Sequence, residues 1–253
     1  MSETAKTPFH LDGKTILVTG ASSGIGRAVA VLASRMGASV LLSGKNEERL
    51  KQTMDVCSGG GHSLLRADLL LESDREQLVD SLPGIDGLVH CAGYVQSFPS
   101  GFINQKKLDE TLNINYEAPV LLMAQIQRKK KLNKDASLVF ISSICSDHPH
   151  RGAALYGSSK AALETFVKVL AIELADKGIR ANCISPAMVK TAMYEKAEAD
   201  SSKEMMDAHL AKYPLGPGLP EDIANAAIYL LSPAARWVTG INITLDGGFL
   251  LGF

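Results

Sequence analysis

Short apolar runs alternate with helical patterns along almost the whole chain, and this alternation limits the possible folds more than any other feature. Seven runs are predicted to be strands: 15–19, 39–43, 62–66, 87–91, 137–142, 180–185 and 241–245. Between them, segments with helical spacing end at glycines such as Gly37 and Gly178, as helix C-termini often do. The pattern predicts an α/β fold, a doubly wound seven-stranded parallel sheet with helices on both faces.

The predicted domain organisation is one domain over residues 1–253, because no linker, internal repeat or low-complexity tract interrupts the alternation. The polar start, residues 1–10, is expected to be flexible and lacks the apolar core of a signal peptide. No apolar run reaches the roughly 18 residues that would suggest a membrane span. We therefore expect a cytoplasmic protein.

The net charge and the cysteine spacing indicate which classes of partner and site to expect. A formal net charge of -1 gives no electrostatic reason to expect nucleic acid or an anionic membrane. Four widely separated cysteines form no CxxC motif, so neither a metal site nor a disulfide is expected. A small-molecule enzyme or binding protein remains.

The segment TGASSGIG joins the first predicted strand to the first predicted helix. Glycines at 20, 24 and 26 allow a tight turn and close approach of the backbone to a diphosphate, which a helix N-terminus also favours. Because this segment lies at the first strand-to-helix junction, it predicts a dinucleotide site.

A phenol, an amine and a hydroxyl recur at a fixed spacing around the fifth predicted strand. Tyr156 and Lys160 are four residues apart and share one helix face, and Ser143 precedes the tyrosine by thirteen residues. An ammonium and a positively charged nicotinamide both favour phenolate, so we expect Lys160 and the bound cofactor together to lower the pKa of Tyr156. The phenol could then exchange a proton with a carbonyl oxygen that Ser143 holds. Taken singly, these residues also allow a non-catalytic interpretation: tyrosine and lysine at this spacing often pack together on a surface, and serine ends many strands.

With both motifs in place, the chain from about Gly13 to Gly248 resembles the short-chain dehydrogenase/reductase family, nearest in pattern to the 3-oxoacyl-(acyl carrier protein) reductases. The resemblance implies a single Rossmann-type domain, an NAD(P) cofactor and a homo-oligomer, either tetramer or dimer. It implies catalytic roles for Ser143, Tyr156, Lys160 and Asn115. Asn113 and Ser142 are the neighbouring alternatives, and the register favours the first-named residues.

The resemblance also implies the cofactor contacts. These are Gly20, Ser22, Ser23, Gly24, Ile25 and Gly26 in the glycine loop, Asp68 and Leu69 at the adenine, Ala92 and Gly93 at the ribose, Tyr156 and Lys160, and Pro186, Val189 and Thr191 near the carboxamide. Asp68 could instead be a helix cap. The chain departs from the family at Cys91, where asparagine is usual, and at Ala187, where glycine is usual.

The end of the second predicted strand indicates the cofactor type. NAD-preferring relatives carry an acidic residue near Gly44, whereas this chain continues with Lys45 and Asn46. An ammonium attracts a 2'-phosphate, so NADP(H) is preferred over NAD(H). The alternative is that Lys45 is a solvated residue at a helix start.

Two segments near the expected substrate site each allow two interpretations. Residues 191–214 are predicted to form one or two helices, either a mobile substrate lid or a surface insertion. His148, His150 and Arg151 either meet an anionic group of the substrate or are solvated loop residues.

The sequence as a whole predicts an NADP(H)-dependent oxidoreductase that transfers a hydride between nicotinamide and a ketone or secondary alcohol, such as a 3-oxoacyl thioester. The alternatives are a non-catalytic NADP(H)-binding sensor or scaffold, and a sugar-nucleotide-modifying enzyme.

Overall fold

The computed structural model describes residues 7–199 and 202–252 and shows one parallel sheet. Its strands are β1 (Thr15–Thr19), β2 (Ser39–Gly44), β3 (Ser63–Arg66), β4 (Ile85–His90), β5 (Leu132–Ile141), β6 (Arg180–Pro186) and β7 (Asn242–Leu245). Their order across the sheet is β3-β2-β1-β4-β5-β6-β7. The predicted Rossmann-type fold, with seven parallel strands, is confirmed.

Helices connect the strands and cover both faces of the sheet. They are α1 (Gly24–Arg35), α2 (Glu47–Met54), α3 (Glu72–Ser81), α4 (Gln105–Leu112), α5 (Ala118–Arg128), α6 (Ala154–Glu173), α7 (Ala192–Ala199), α8 (Lys203–Leu210) and α9 (Pro220–Leu231). One π-helical turn, Asn113–Glu117, joins α4 to α5. Gly37 and Gly178 adopt left-handed φ values of 95° and 70°, as expected for residues just past a helix end.

The core forms on both faces because successive strand residues point to opposite sides. In β1, Leu17 packs in one apolar cluster, whereas Ile16 and Val18 pack in the other. All three are at most 1% exposed, and burial of such side chains contributes about 1.5–3 kcal/mol each. The alternation within single strands therefore holds helices to both faces.

The sheet reverses its winding direction beside β1. The chain moves outward from β1 to β2 and β3, then returns to β4 on the other side and continues to β7. The carboxyl ends of β1 and β4 diverge at this switch point, and open α/β sheets bind ligands in the crevice that results.

Some boundaries differ from the predicted ones. β5 begins at Leu132, because Leu132 pairs with Ile85 of the neighbouring strand ahead of a register shift between Ile85 and Gly87. At the chain start, Phe9 packs against the ring of Tyr229, while residues 1–6 lie outside the described part. No helix in residues 7–199 or 202–252 has the length and apolar character to cross a bilayer.

Candidate active site

The glycine loop after β1 is packed so tightly that side chains would not fit. A Cβ on Gly26 would lie 2.3 Å from the carbonyl oxygen of Gly20, and one on Gly20 would lie 2.9 Å from the backbone nitrogen of Ala92. Ser23 precedes α1 and its side chain does not cap the helix. The loop therefore presents backbone and the first amides of α1, which suits a diphosphate.

An open cavity of about 570 Å³ lies at the carboxyl ends of β1 to β4. Eight of the predicted cofactor contacts line it: Gly20, Ser22, Lys45, Asn46, Asp68, Leu69, Ala92 and Gly93. Arg49, which the sequence analysis did not select, lines it too. Its position four residues after Lys45, around the first turn of α2, was the available signal.

Two oppositely charged residues that line this cavity form an ion pair. The Lys45 ammonium lies 3.6 Å from the Asp68 carboxylate, and 65% of the lysine side chain is exposed. The other Asp68 oxygen accepts a hydrogen bond from the Leu70 N–H at 3.1 Å. Asn46 instead caps α2, since its side chain accepts from the Arg49 N–H.

The predicted contacts after β6 lie close to the glycine loop. A Cβ on Gly24 would lie 3.1 Å from the Thr191 methyl group, so these two segments face each other. Pro186 ends β6, and Val189 forms a bridge to Gly218. Ala187 donates its N–H to Leu245 and does not adopt the left-handed φ that glycine would permit. The turn thus forms without glycine.

The structure brings Ser143 and Tyr156 together. Ser143 lies just after β5 and is 7% exposed, and it is near enough to Tyr156, in the first turn of α6, to act on the pKa of that phenol. Ser142, the alternative, instead donates to the Glu164 carboxylate at 2.6 Å. Ser143 is therefore the serine at the phenol.

Lys160 lies one helical turn further along α6 and is 4% exposed. Its ammonium donates to the Ile141 carbonyl at 2.9 Å and lies 5.8 Å from the centre of the Tyr156 ring. Burial lowers the pKa of Lys160 to about 8, although Cys183, Cys91 and Glu164 oppose the shift. A Cβ on Gly93 would lie 3.5 Å from this ammonium, so the amine reaches the cavity wall.

Asn115 is held in the π-helical turn and is 1% exposed. Its amide accepts from the Tyr94 N–H and donates to the Tyr94 carbonyl, both at 2.8 Å, and donates to the Ser159 hydroxyl at 3.2 Å. Ser159 in turn donates to the Tyr156 carbonyl at 2.7 Å. Asn115, rather than Asn113, therefore links the loop after β4 to the helix that carries Tyr156 and Lys160.

The prediction of a lowered Tyr156 pKa depends on a bound, positively charged nicotinamide as well as on Lys160, and the protein alone shows the opposite shift. Burial raises the pKa of Tyr156 to about 12, while Ser143 opposes this rise. The ammonium of Lys160 is engaged with Ile141 rather than with the phenol oxygen. Tyr156 is consequently a protonated phenol at neutral pH.

Glu164 is a buried site residue that the sequence analysis missed. Its Oε1 accepts from Ser142, after β5, at 2.6 Å and from Ser185, in β6, at 3.0 Å. It is 6% exposed and stands one turn after Lys160 on α6. The carboxylate thus joins the ends of two strands, and its position at i+4 from the lysine was the only sequence signal.

His90 and Cys91 occupy the end of β4 beneath the cavity. His90 is buried, its Nδ1 lies 3.0 Å from the Thr19 hydroxyl, and burial lowers its pKa to about 3. Burial raises the pKa of Cys91 to about 12, so the thiol is neutral. The Cys91 backbone also joins β4 to β1, through its N–H to the Thr19 carbonyl at 3.3 Å.

The crevice therefore combines a diphosphate cradle, a cavity of nucleotide size and a phenol beside a buried amine. The tightly packed glycines fit a dinucleotide, because any Cβ at Gly20 or Gly26 would displace the loop backbone. Fold and site together define the class of Rossmann-fold oxidoreductases that use a nicotinamide cofactor.

Comparisons with known proteins identify the family. A family model described as Enoyl-(Acyl carrier protein) reductase matches residues 20–250. The chain is 34% identical over 244 residues to the 3-oxoacyl-(acyl-carrier-protein) reductase FabG of Rickettsia felis, covering 96% of this chain and 99% of that protein. It is also 34% identical to the human dehydrogenase/reductase SDR family member 4, covering 94% of this chain and 88% of that protein. The chain belongs to the short-chain dehydrogenase/reductase family.

Solved structures agree with this assignment. A Beutenbergia cavernae protein described as an NAD(P) dependent gluconate 5-dehydrogenase, with NADP bound at low occupancy, has a TM-score of 0.88 and 32% identity, covering 97% of this chain and 100% of that one. A Brucella melitensis short-chain dehydrogenase/reductase described as a glucose/ribitol dehydrogenase has a TM-score of 0.88 and 31% identity, covering 95% of this chain and 98% of that one.

Proposed function

We propose that this chain is an NADP(H)-dependent carbonyl reductase or alcohol dehydrogenase that acts on a ketone or secondary alcohol, with 3-oxoacyl thioesters among its candidate substrates. The observation that carries the proposal is the placement of Tyr156 beside two buried groups, Ser143 after β5 and the Lys160 ammonium, which lies 5.8 Å from the centre of the Tyr156 ring. The resemblance to 3-oxoacyl-(acyl-carrier-protein) reductases supports the thioester as a candidate.

Each side chain has a definite task in this proposal. Ser143 holds the substrate oxygen, and Tyr156 donates a proton to it as the carbonyl is reduced. A bound nicotinamide supplies or accepts the hydride. The high pKa of Tyr156 keeps the phenol protonated near neutral pH, which suits the reductive direction. Lys160 would bond the cofactor ribose, while Asn115 positions the loop at Gly93 and Tyr94 against α6.

The proposed cofactor contacts also have separate roles. Gly20, Ser22, Ser23, Gly24, Ile25 and Gly26 would hold the diphosphate, Asp68, Leu69, Ala92 and Gly93 the adenosine, and Pro186, Val189 and Thr191 the carboxamide. Lys45, with Asn46 beside it and Arg49 on the same cavity wall, supports NADP(H) over NAD(H), because two cations face the place where a 2'-phosphate would lie. A structural relative with bound NADP points the same way.

We further infer that residues 191–199 and 202–214, on either side of residues 200–201 that lie outside the described part, act as a mobile lid over the substrate, and that the chain works as a cytoplasmic homo-oligomer, a dimer or tetramer. The segment follows β6 and the bridge of Val189 to Gly218, and Tyr213 near its end stacks on Phe249 with ring centres 4.7 Å apart. Exposed apolar side chains support self-association, notably Ile172, which is 78% exposed, and Trp237, which is 90% exposed. The four free cysteines suit a reducing compartment.

The test is turnover of NADPH by the purified chain on a panel of β-ketoesters, diketones and keto-sugars. We expect loss of NADPH absorbance with at least one class, and Tyr156→Phe should reduce the rate by about 10²–10⁴-fold. NADPH affinity of the variant should stay within about twofold of the original, because phenylalanine preserves the packing of the ring.

Two results would contradict the proposal. Full activity of Tyr156→Phe would remove the phenol from the reaction. Tight NADPH binding without turnover of any carbonyl in the panel would instead favour a cofactor-binding sensor or scaffold.

A further inference from the structure

The proposed catalytic Ser143 lies beyond the part of β5 that the sheet holds. On one side, the ladder of β5 with β4 ends at the pair of Phe140 and His90. On the other side, its ladder with β6 ends at the pair of Ile141 and Ile184. The position of Ser143 therefore depends on bonds other than the strand pairing.

Three hydrogen bonds hold the two residues at the end of the ladder. The Ile141 carbonyl accepts from the Lys160 ammonium at 2.9 Å. Ser142 donates its N–H to the Ile184 carbonyl at 2.7 Å and its hydroxyl to the Glu164 carboxylate at 2.6 Å. The chain just before the catalytic serine is thus tied both to β6 and to α6.

Glu164 connects this chain end to the neighbouring strand. The same carboxylate oxygen, Oε1, also accepts from the hydroxyl of Ser185 in β6 at 3.0 Å. Ser142, Ser185 and Glu164 are all buried, so bulk water does not compete for these bonds. We refer to the three residues as the carboxylate clamp.

The helix side of the clamp is continuous with the proposed catalytic groups. Tyr156, Lys160 and Glu164 are spaced at i, i+4 and i+8 on α6, which places them on one helix face. Lys160 and Glu164 bond to adjacent residues at the end of β5. Two successive turns of α6 therefore fix the end of β5 relative to the turn that carries Tyr156.

Stability alone does not account for a carboxylate at this place. Its neighbours on α6, Leu163 and Val167, are buried apolar residues of the core. Replacement of a buried polar network by apolar side chains of similar volume is often neutral or stabilising, whereas a fully bonded network favours one arrangement of its members. Because Glu164 is buried and its Oε1 is taken by two hydroxyls, any effect on a reaction must pass through the residues that it holds.

We propose that Glu164 is a positioning residue of the carbonyl site: through Ser142 and Ser185 the carboxylate clamp fixes the backbone of residues 141–143, and with it the Ser143 hydroxyl and the carbonyl that holds Lys160. The effect on turnover rests on the proposed function, whereas the fixing of the backbone does not.

Ser137 provides a matched control within the same strand. Its hydroxyl donates to the Leu230 carbonyl at 2.7 Å, and the residue is as deeply buried as Ser142. The Leu230 carbonyl keeps a second donor, the Arg180 guanidinium at 2.7 Å, so alanine at either serine leaves the acceptor with one partner. Ser137 lies about 16 Å further back along an extended strand, away from the site.

The first experiment measures hydrogen–deuterium exchange of the full chain by mass spectrometry, without cofactor or substrate. Ser142→Ala and Ser185→Ala should each speed exchange of residues 142–146 by at least about fivefold, the effect of one lost hydrogen bond on local opening. Ser137→Ala should leave this segment unchanged. Exchange of the segment at the original rate in both clamp variants would overturn the proposal.

The second experiment measures carbonyl turnover and NADPH binding by the same variants. In Ser142→Ala and Ser185→Ala, kcat should fall about 10-fold, because a small misplacement of reacting groups is costly. The Kd for NADPH should stay within about twofold, as should kcat of Ser137→Ala, because these depend on distant parts of the chain. Faster exchange without a loss of kcat would refute the positioning role, as would equal losses of kcat in the clamp variants and the control.

Glu164→Gln and Glu164→Ala separate the hydrogen bonds from the charge. Both variants lack the carboxylate charge, but glutamine keeps an oxygen that can accept from both serines. Glu164→Gln should therefore keep slow exchange of residues 142–146 and a kcat about 10-fold above that of Glu164→Ala. Equal kcat values in the two variants would refute the role of the hydrogen bonds.

The exchange experiment also separates this inference from the proposed function. Absence of turnover in the original chain would count against the proposed function. The exchange rates of Ser142→Ala and Ser185→Ala would still decide whether the carboxylate clamp fixes residues 141–143.

Discussion

The two sides of the crevice differ in the groups that form them and in how far those groups are buried. On the side of β4, β5, β6 and α6, buried polar side chains bond to one another, as Asn115 does to Ser159 and Glu164 does to Ser142 and Ser185. On the side of β1, β2 and β3, the glycine backbone shapes the cavity and its charges are exposed, as in the Lys45–Asp68 ion pair.

This difference determines what a substitution can do on each side. A buried polar group that loses its partner costs about 1–3 kcal/mol or more, and a buried charge costs more still. An exposed ion pair contributes only about 0–1 kcal/mol. The side with Tyr156 and Lys160 should therefore tolerate little change, while the side with Lys45 can be tuned for cofactor type at small cost to the fold.

The largest effect is expected at Glu164. Glu164→Ala would leave the Ser142 and Ser185 hydroxyls without their acceptor and remove a carboxylate close to Lys160. Because the site is buried, the free energy of unfolding should fall by about 3–5 kcal/mol. Urea unfolding measures this directly, and a loss below about 1 kcal/mol would contradict the contrast between the two sides.

Glu164→Gln separates the hydrogen bonds from the charge. Gln Oε1 can still accept from both serines, so its stability loss should be smaller than that of alanine. The missing charge should lower the pKa of Lys160 further, since Glu164 now acts to raise it. The alkaline fall in kcat/KM, expected as Lys160 loses its proton near pH 8, should begin at a lower pH in this variant. If the alkaline fall in kcat/KM begins at the same pH in this variant, the carboxylate acts only through its hydrogen bonds.

Much of this architecture could be predicted from the sequence, because its signals are local. β1 was predicted with its observed ends, and Gly37 and Gly178 were recognised as helix ends. The start of β5 was missed because its residues 133–135 are polar and exposed, and they fall in the register shift between the Leu132 and Ser137 pairs.

Among the site residues too, those with a local sequence signal were predicted and those that depend on tertiary contacts were not. Tyr156, Lys160 and Ser143 were found because their spacing is fixed within one strand-helix unit. Glu164 was missed because a glutamate in an apolar helical pattern is typical of a solvated face, and its partners come from two strands. The raised pKa of Tyr156 could not be predicted either, since it depends on burial in the folded chain rather than on Lys160 alone.

A smaller effect is expected at His90, which lies under the junction of the two sides. Its folded pKa of about 3 is depressed from the ordinary value of 6.5, so the unfolded chain binds the extra proton first as pH falls. Stability from this residue is present above about pH 6.5 and is lost as pH falls towards 3. Between pH 7.5 and 5.5 the loss should be about 1.4 kcal/mol.

His90→Asn tests this pH dependence. Asparagine can still bond to the Thr19 hydroxyl but does not titrate. All other titrating groups are shared, so the difference between the two unfolding profiles isolates His90. Identical losses of unfolding free energy in the two proteins would show that the histidine does not resist protonation.

The smallest effect on stability, and the most selective effect on binding, is expected at Lys45. Lys45→Ala should change the free energy of unfolding by less than about 1 kcal/mol, because its bond to Asp68 is exposed. NADPH affinity should fall about five- to tenfold, whereas NADH affinity should hardly change, because only NADPH carries the 2'-phosphate. Titration calorimetry with both cofactors gives the two constants.

Arg49→Ala is the matched control, because Arg49 lines the same cavity but is not paired with Asp68 in the way that Lys45 is. If the side with Lys45 works through exposed charge, each variant should lose part of the NADPH preference without destabilising the fold, and the double variant should lose most of it. Equal losses of NADPH and NADH affinity in Lys45→Ala would mean that the lysine shapes the cavity rather than selecting the phosphate. The cofactor side would then depend on packing, as the catalytic side does, and the contrast between them would fail.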